Sequence, residues 1–255
     1  MSKPHFAVAF LLLFAACSKA PEAKQAETKA EPAVAFTEVD PATAGAVEGK
    51  IVFTGKAPAR KKVDFSEDPN CGKLQKGEFF NDTVAINKNG TLANVFVYVK
   101  TGLEGKKFRP STTPMTITQK GCWFEPRMLA IEAGQPFQVV NADPLTHNIH
   151  PSTVNSREWN QSQEAGAEPL IRKFARTEIM VRVKCNIHPW MKAWVGVTEH
   201  PYHAISGTAG TFSLKNLPAG EYTIEAWQEE YGAQQQKVTI SAKATESLTF
   251  TFKGE

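Results

Sequence analysis

No stretch of this 255-residue chain is apolar for long enough to cross a bilayer as a helix. The best run, Phe6 to Ala16, has eleven residues against the roughly 20 that a hydrocarbon core of about 30 Å demands. An excess of one charge is also missing: 29 Lys and Arg face 26 Asp and Glu, a formal net charge of +3, with no basic stripe or polybasic block. That balance excludes a surface built for nucleic acid. Long helices are disfavoured because 16 Pro and 17 Gly are spread along the chain, a pattern that suits many short strands joined by turns. With 42% apolar residues the chain can still bury one large core or two small ones. The expected class is all-β.

Lys3 and the apolar run ending before Cys17 have the form of a signal peptide over residues 1–16. The segment "LFAAC" resembles a bacterial lipobox, which implies that Cys17 receives lipid and becomes the new N-terminus. Phe14 stands where that family usually has Leu, and an ordinary secretory signal with an incidental cysteine is the alternative. The resemblance implies a lipid anchor on the periplasmic side of a bacterial membrane. Ser18, lacking the acidic retention signal, points to the outer membrane. Residues 17–44, "CSKAPEAKQAETKAEPAVAFTEVDPATA", are rich in Ala, Glu, Lys and Pro and read as a disordered tether.

Beyond the tether, strand-like segments alternate with turns. "VEGKIVFTGKAP" opens a span of N-terminal strands over 45–111, and "TLANVFVYVKTG" carries a continuous apolar run typical of a strand buried on both faces. In "TEIMVRVKC" parity puts Ile179, Val181, Val183 and Cys185 on one face and Met180, Arg182 and Lys184 on the other, which delivers the Cys185 sulfur to the core side. The polar stretch 152–173 reads as a surface excursion. "GTFSLKNLPAGEYTIEAW" and "VEGKIVFTG" resemble the carboxypeptidase-regulatory-like, or prealbumin-like, β-sandwich. That likeness implies a second sandwich whose C-terminal part is 201–255, interrupted by a central module over 112–200.

The chemistry gathers in "CNIHPWM", residues 185–191, where a thiol, an imidazole and a thioether follow one another with two residues between each neighbouring pair. Two imidazoles, one thiolate and a weak axial thioether make a mononuclear redox copper site. The missing imidazole is offered by "NADPLTHNIH", residues 141–150. Together the two stretches resemble the ligand loops of cupredoxins, most of all amicyanin. The resemblance implies a Greek-key β-sandwich holding one type 1 copper. By position it makes His147, Cys185, His188 and Met191 the ligands, with Asn148 tying the two loops together. His150 is a further candidate ligand, or a solvent-facing residue. In cupredoxins the second histidine is the electron port, so His188 with Trp190 is the expected docking edge; the alternative places Trp190 in the core. "CWFEP" resembles a cupredoxin strand whose family has no such cysteine, and Cys122 is therefore paired with Cys71 in a disulfide; the alternative is that one of them ligates metal. His200 and His203 have no neighbours to complete a ligand set.

No activated serine, paired acid/base carboxylates or phosphate loop accompanies the motif. Four protein ligands would leave no open position for a substrate, so the expectation is a carrier of single electrons and not an enzyme. Its expected partners are periplasmic or membrane redox proteins such as c-type cytochromes. A copper-delivery protein and a metal-free β-sandwich interaction module are the alternatives.

Overall fold

A computed structural model of the chain describes residues 35–255. The expected signal peptide, Cys17 and most of the expected tether lie outside the described residues. The tether's expected end at residue 44 is corrected: the Thr37 N–H donates to the Lys107 carbonyl at 2.7 Å, and the Arg109 guanidinium stands 4.4 Å over the Phe36 ring. Those contacts fasten the chain well before its first strand.

Among the described residues there are eighteen strands and a single helix, as expected of an all-β chain. Sixteen of the strands build two sandwiches, and Lys61–Lys62 pairs with Phe80–Asn81 apart from them. In the first, a five-stranded sheet (Gln161–Gln163, His147–Ser152, Glu178–Lys184, Lys192–Thr198, Met128–Glu132) faces a four-stranded one (Leu170–Arg172, Phe137–Asn141, Met115–Gln119, Phe124–Glu125). Ile117, Phe124 and Phe137 from one sheet and Ile149, Val183 and Val195 from the other share a single buried core. This is the ligand module. The second sandwich joins Thr211–Leu217, Gly45–Thr54 and Thr245–Lys253 to a sheet of His203–Ile205, Phe96–Thr101, Gly220–Gln228 and Gly232–Ile240. Its core holds Ile51, Val97, Ile224 and Phe250.

Strand Phe96–Thr101 shows why its sequence is apolar without alternation. Val97 and Val99 enter the second core, while Phe96 and Tyr98 turn the other way and pack with Met128, Ala130 and Met180 of the ligand module. Gly196 makes this possible, since a Cβ there would stand 2.5 Å from the Phe96 ring. A buried ion pair seals the same seam: Arg127 donates to both carboxylate oxygens of Glu229 at 2.6 and 2.8 Å, and the Trp194 indole N–H joins Glu229 at 3.0 Å.

Three sequence expectations change. Ile179 does not share the inward face, because Met180 takes a positive φ of 64° at a bulge and resets the alternation; Ile179 is exposed while Met180 is buried. Val181, Val183 and Cys185 do face inward. The stretch 152–173 is not a plain excursion, for it adds an edge strand to each sheet of the ligand module. Within the expected N-terminal strands of 45–111, the chain leaves the second sandwich after Lys56 and returns to it only past residue 82. Val63, Phe65, Cys71 and Phe79 from that segment pack onto the ligand-module core.

His200 and His203 lie where strand Lys192–Thr198 hands the chain back to the second sandwich. His200 Nε2–H donates to the Val99 carbonyl at 2.9 Å, and His203 Nδ1 meets Thr198 Oγ1 at 2.8 Å. Burial lowers both to about 4 from a reference of 6.5. Between pH 6.5 and about 4 the unfolded chain therefore takes up protons that the folded chain refuses, so stability falls as pH falls, and levels off below about 4. Each imidazole should add about 1.4 kcal/mol per pH unit to that slope. Urea midpoints measured from pH 7 to 4 should show a shallower decline in His203→Gln than in the parent.

Candidate metal centre

Three elements deliver the ligand candidates. His147 opens strand His147–Ser152, directly after the turn that follows Phe137–Asn141. Cys185 continues the inward row of Glu178–Lys184, and His188 and Met191 follow on the loop that returns to Lys192–Thr198. The loop closes on itself: the Cys185 N–H donates to the Met191 carbonyl at 3.2 Å, and the Met191 N–H to the His188 carbonyl at 3.0 Å. His147 and Met191 are fully buried, with His188 at 1% and Cys185 at 3% exposure. Asn148 joins the two stretches as expected of its position, its Oδ1 accepting the Asn186 N–H at 2.9 Å while its amide donates to Asn160.

His147 Nδ1 lies 3.0 Å from His188 Nδ1, and the Cys185 sulfur lies 3.7 Å from His188 Nδ1. The far nitrogens meet carboxylates, His147 Nε2 at 2.7 Å from Asp143 and His188 Nε2 at 3.2 Å from Asp68. An ionised carboxylate only accepts, so each Nε2 carries a hydrogen, and in the neutral ring, the form that binds metal, each Nδ1 presents a lone pair. Two lone pairs and a sulfur thus converge with no hydrogen to share between the rings. Such a cluster of donors calls for a cation. Nitrogens at about 2.0 Å and a sulfur at about 2.3 Å from one ion would be about 3–3.8 Å apart, which is the spacing found.

Electrostatics agree with that arrangement. Burial pushes the Cys185 thiol up, but without metal the thiolate is stabilised by the protonated rings of His147 and His188 and by the backbone N–H groups of His188 and Asn148, which bring it down to about 6; a metal would take the place of those ring protons. Burial likewise opposes charge on both histidines, yet Asp143 and Cys185 leave His147 raised, and Cys185 and Asp68 leave His188 raised. Asp68 is lowered chiefly by its hydrogen bond to His188. A low-lying thiol is ready to bind metal as thiolate.

His150 does not join the cluster. It points from the opposite face of its strand to Glu158 and to Asn186 Oδ1 at 3.2 Å. His200 and His203 are spent on the backbone and Thr198, away from the site. Cys71 and Cys122 are bridged, with an S–S distance of 2.00 Å, so neither is a free thiol.

The expected docking edge is corrected. His188 and Trp190 are both covered by the segment 56–82, whose Phe65 meets the Trp190 ring edge-on at 5.2 Å. Trp190 Nε1–H donates to the Cys122 carbonyl at 3.1 Å, which places the indole in the core as the alternative held. What the ligand loop leaves in solvent is Ile187, 48% exposed, with Asn186 and Pro189.

Asp143 and Asp68 were missed as partners of the site. Asp143 stands four residues before His147 inside the quoted loop, and also accepts the Gly121 and Cys122 N–H groups at 2.6 and 2.7 Å. Asp68 begins "DPNC", an N-cap and Pro signature for the helix Pro69–Leu74, but nothing local ties that helix to residue 188.

Residues 188–253 match the carboxypeptidase regulatory-like domain. The match begins inside the ligand loop and runs through the C-terminal strands of the second sandwich. Among solved structures, the chain is similar to the Cu-containing nitrite reductase from Thermus scotoductus SA-01, at 22% identity over 36% of this chain, with a TM-score of 0.31. It spans 26% of that enzyme's length. It is also similar to a purple cupredoxin from Nitrosopumilus maritimus, at 21% identity over 32% of this chain and 98% of that one, TM-score 0.28. A Cu(I) amicyanin variant aligns at 16% identity over 38% of this chain and 96% of that one, TM-score 0.30. No curated protein matches.

Proposed function

We propose that this chain is a mononuclear copper protein of the cupredoxin kind that carries single electrons. In this reading Cys17 anchors it on the periplasmic side of a bacterial membrane, the outer one being favoured, and it serves redox proteins such as c-type cytochromes. One observation carries the reading: the Nδ1 atoms of His147 and His188, 3.0 Å apart, converge with the Cys185 sulfur in the buried interior, on the loop that also carries the buried Met191. Copper held there would supply a one-electron couple, with soft sulfur favouring the reduced ion and imidazole suiting both states. The chain's own residues do the rest. Asp143 and Asp68 hold the rings with Nδ1 inward, Asn148 fixes the spacing of the two loops, and the surrounding core excludes water. Partners would meet the exposed side of the ligand loop at Ile187 and Pro189.

Loaded with copper, the protein should bind one ion per chain and show an intense thiolate-to-copper visible band. That band should bleach with one equivalent of a one-electron reductant and return on reoxidation. A colourless Cu(II) form that yields its metal quickly to a chelator would identify a delivery protein instead, and failure to bind copper at all would leave a metal-free interaction module.

A further inference from the structure

We propose that Asp68 is a positioning residue of the metal centre, carried by the segment 56–82, which fixes the His188 ring through its outer nitrogen and biases the bound copper toward the oxidised state. The effect on copper rests on the copper reading above; the effect on the ring does not.

Asp68 is the N-cap of helix Pro69–Leu74. Its Oδ1 accepts the Asn70 N–H at 3.0 Å, which leaves Oδ2 aimed at His188 Nε2, 3.2 Å away. Three residues on, Cys71 is bridged to Cys122, and the Trp190 indole hydrogen-bonds the Cys122 carbonyl. The carboxylate is thus held by its own helix on one side and by a covalent tie to the ligand module on the other. His188 in turn has a side chain only 2% exposed, so water does not readily replace Asp68 at Nε2. Without the carboxylate, Nε2–H would be buried with no acceptor, a loss that rotating the ring or moving its proton would relieve. Either change withdraws the Nδ1 lone pair from Cys185 and His147.

A carboxylate on the far nitrogen also makes an imidazole a stronger donor, and loss of such a partner commonly costs 10–100-fold in metal affinity. The stronger donor favours Cu(II) over Cu(I). The Cys71–Cys122 bridge lies close to the same ring, a His188 nitrogen and both sulfurs all being within 4.8 Å of one another, so the cap and the centre form one packed unit.

Asp68→Asn keeps a competent helix cap and removes the charge. In the metal-free full chain, nitrogen NMR of His188 should report the Nε2–H tautomer in the parent and a mixture in Asp68→Asn. In the copper-loaded chain, Cu(II) affinity should fall about 10–100-fold in Asp68→Asn. The reduction potential should rise, by about 59 mV for each tenfold by which Cu(II) is weakened more than Cu(I). Should Asp68→Asn fail to fold, Asp68→Ser retains a cap oxygen but is too short to reach His188, and the same readings apply. Equal tautomer, affinity and potential in parent and variant would overturn the proposal, even if the variant were less stable. If the parent lacks the thiolate band, the copper reading falls, and the tautomer comparison still decides whether Asp68 positions the ring.

Discussion

Cys185→Ser should abolish the intense visible band of the copper-loaded protein while leaving the chain folded. The hydroxyl of Ser is far too weak an acid to give an anion in the pocket, whereas the Cys185 thiol is brought down to about 6 by the donors around it. The Nδ1 lone pairs of the neutral rings can accept from the hydroxyl and two backbone N–H groups can donate to it, so the buried oxygen is not an orphan. The expected loss of stability is therefore only about 1 kcal/mol. Copper affinity should drop by more than the about 100-fold typical of removing a supporting partner, because a first ligand is lost. Absorption and paramagnetic-resonance spectra of parent and variant at equal copper decide the matter. An unchanged band in Cys185→Ser would take the thiol out of the site, and the copper reading with it.

Glu229→Gln should cost about 3–5 kcal/mol of folding stability, the largest single loss expected from a residue away from the metal centre. Arg127 and Glu229 are each 7% exposed in their side chains, and the pair is bidentate. Taking the charge from Glu229 strands a guanidinium whose Nη1 already has no partner among the described residues, and leaves the Trp194 indole with a weaker acceptor. The nearby Trp123 ring, 5.7 Å from the Arg127 guanidinium, is too weak a substitute. Replacing both members together, Arg127→Met with Glu229→Leu, should recover much of the loss, since no charge is then buried alone. Denaturant midpoints for the two singles and the double form the cycle that measures the coupling. A single variant within about 0.5 kcal/mol of the parent would show the seam to be held by its apolar contacts alone.

Local chemistry makes the ligand loop legible in the sequence. Cys185, His188 and Met191 are close along the chain, and strand parity alone orients the sulfur. Parity fails at Ile179 because a bulge needs a residue at positive φ, and Met180 carries no mark of that role. His147 and Asn148 are legible only by resemblance to a known loop. Asp68 lies 120 positions from its partner His188, a separation that no periodicity or turn signal bridges. The same blindness misplaces the docking edge, for the cover over His188 and Trp190 comes from a polar-looking segment whose apolar residues, Val63, Phe65 and Phe79, are too sparse to announce a packed face. Strand Phe96–Thr101 is the opposite case: its unbroken apolar run correctly signals burial on both sides, though not that a second module supplies one of them.

The first and last strands of the described chain pair in parallel, from Ala46 beside Thr245 to Thr54 beside Lys253, and the Lys56 N–H reaches the Glu255 carbonyl at 2.9 Å. Contacts so remote in sequence form late, since the long loop between them must close before they add any stabilisation. As the chain emerges from a ribosome, the ligand module has all its strands before the second sandwich can close. The nine-residue strand Thr245–Lys253 then acts as the clasp that closes the second sandwich.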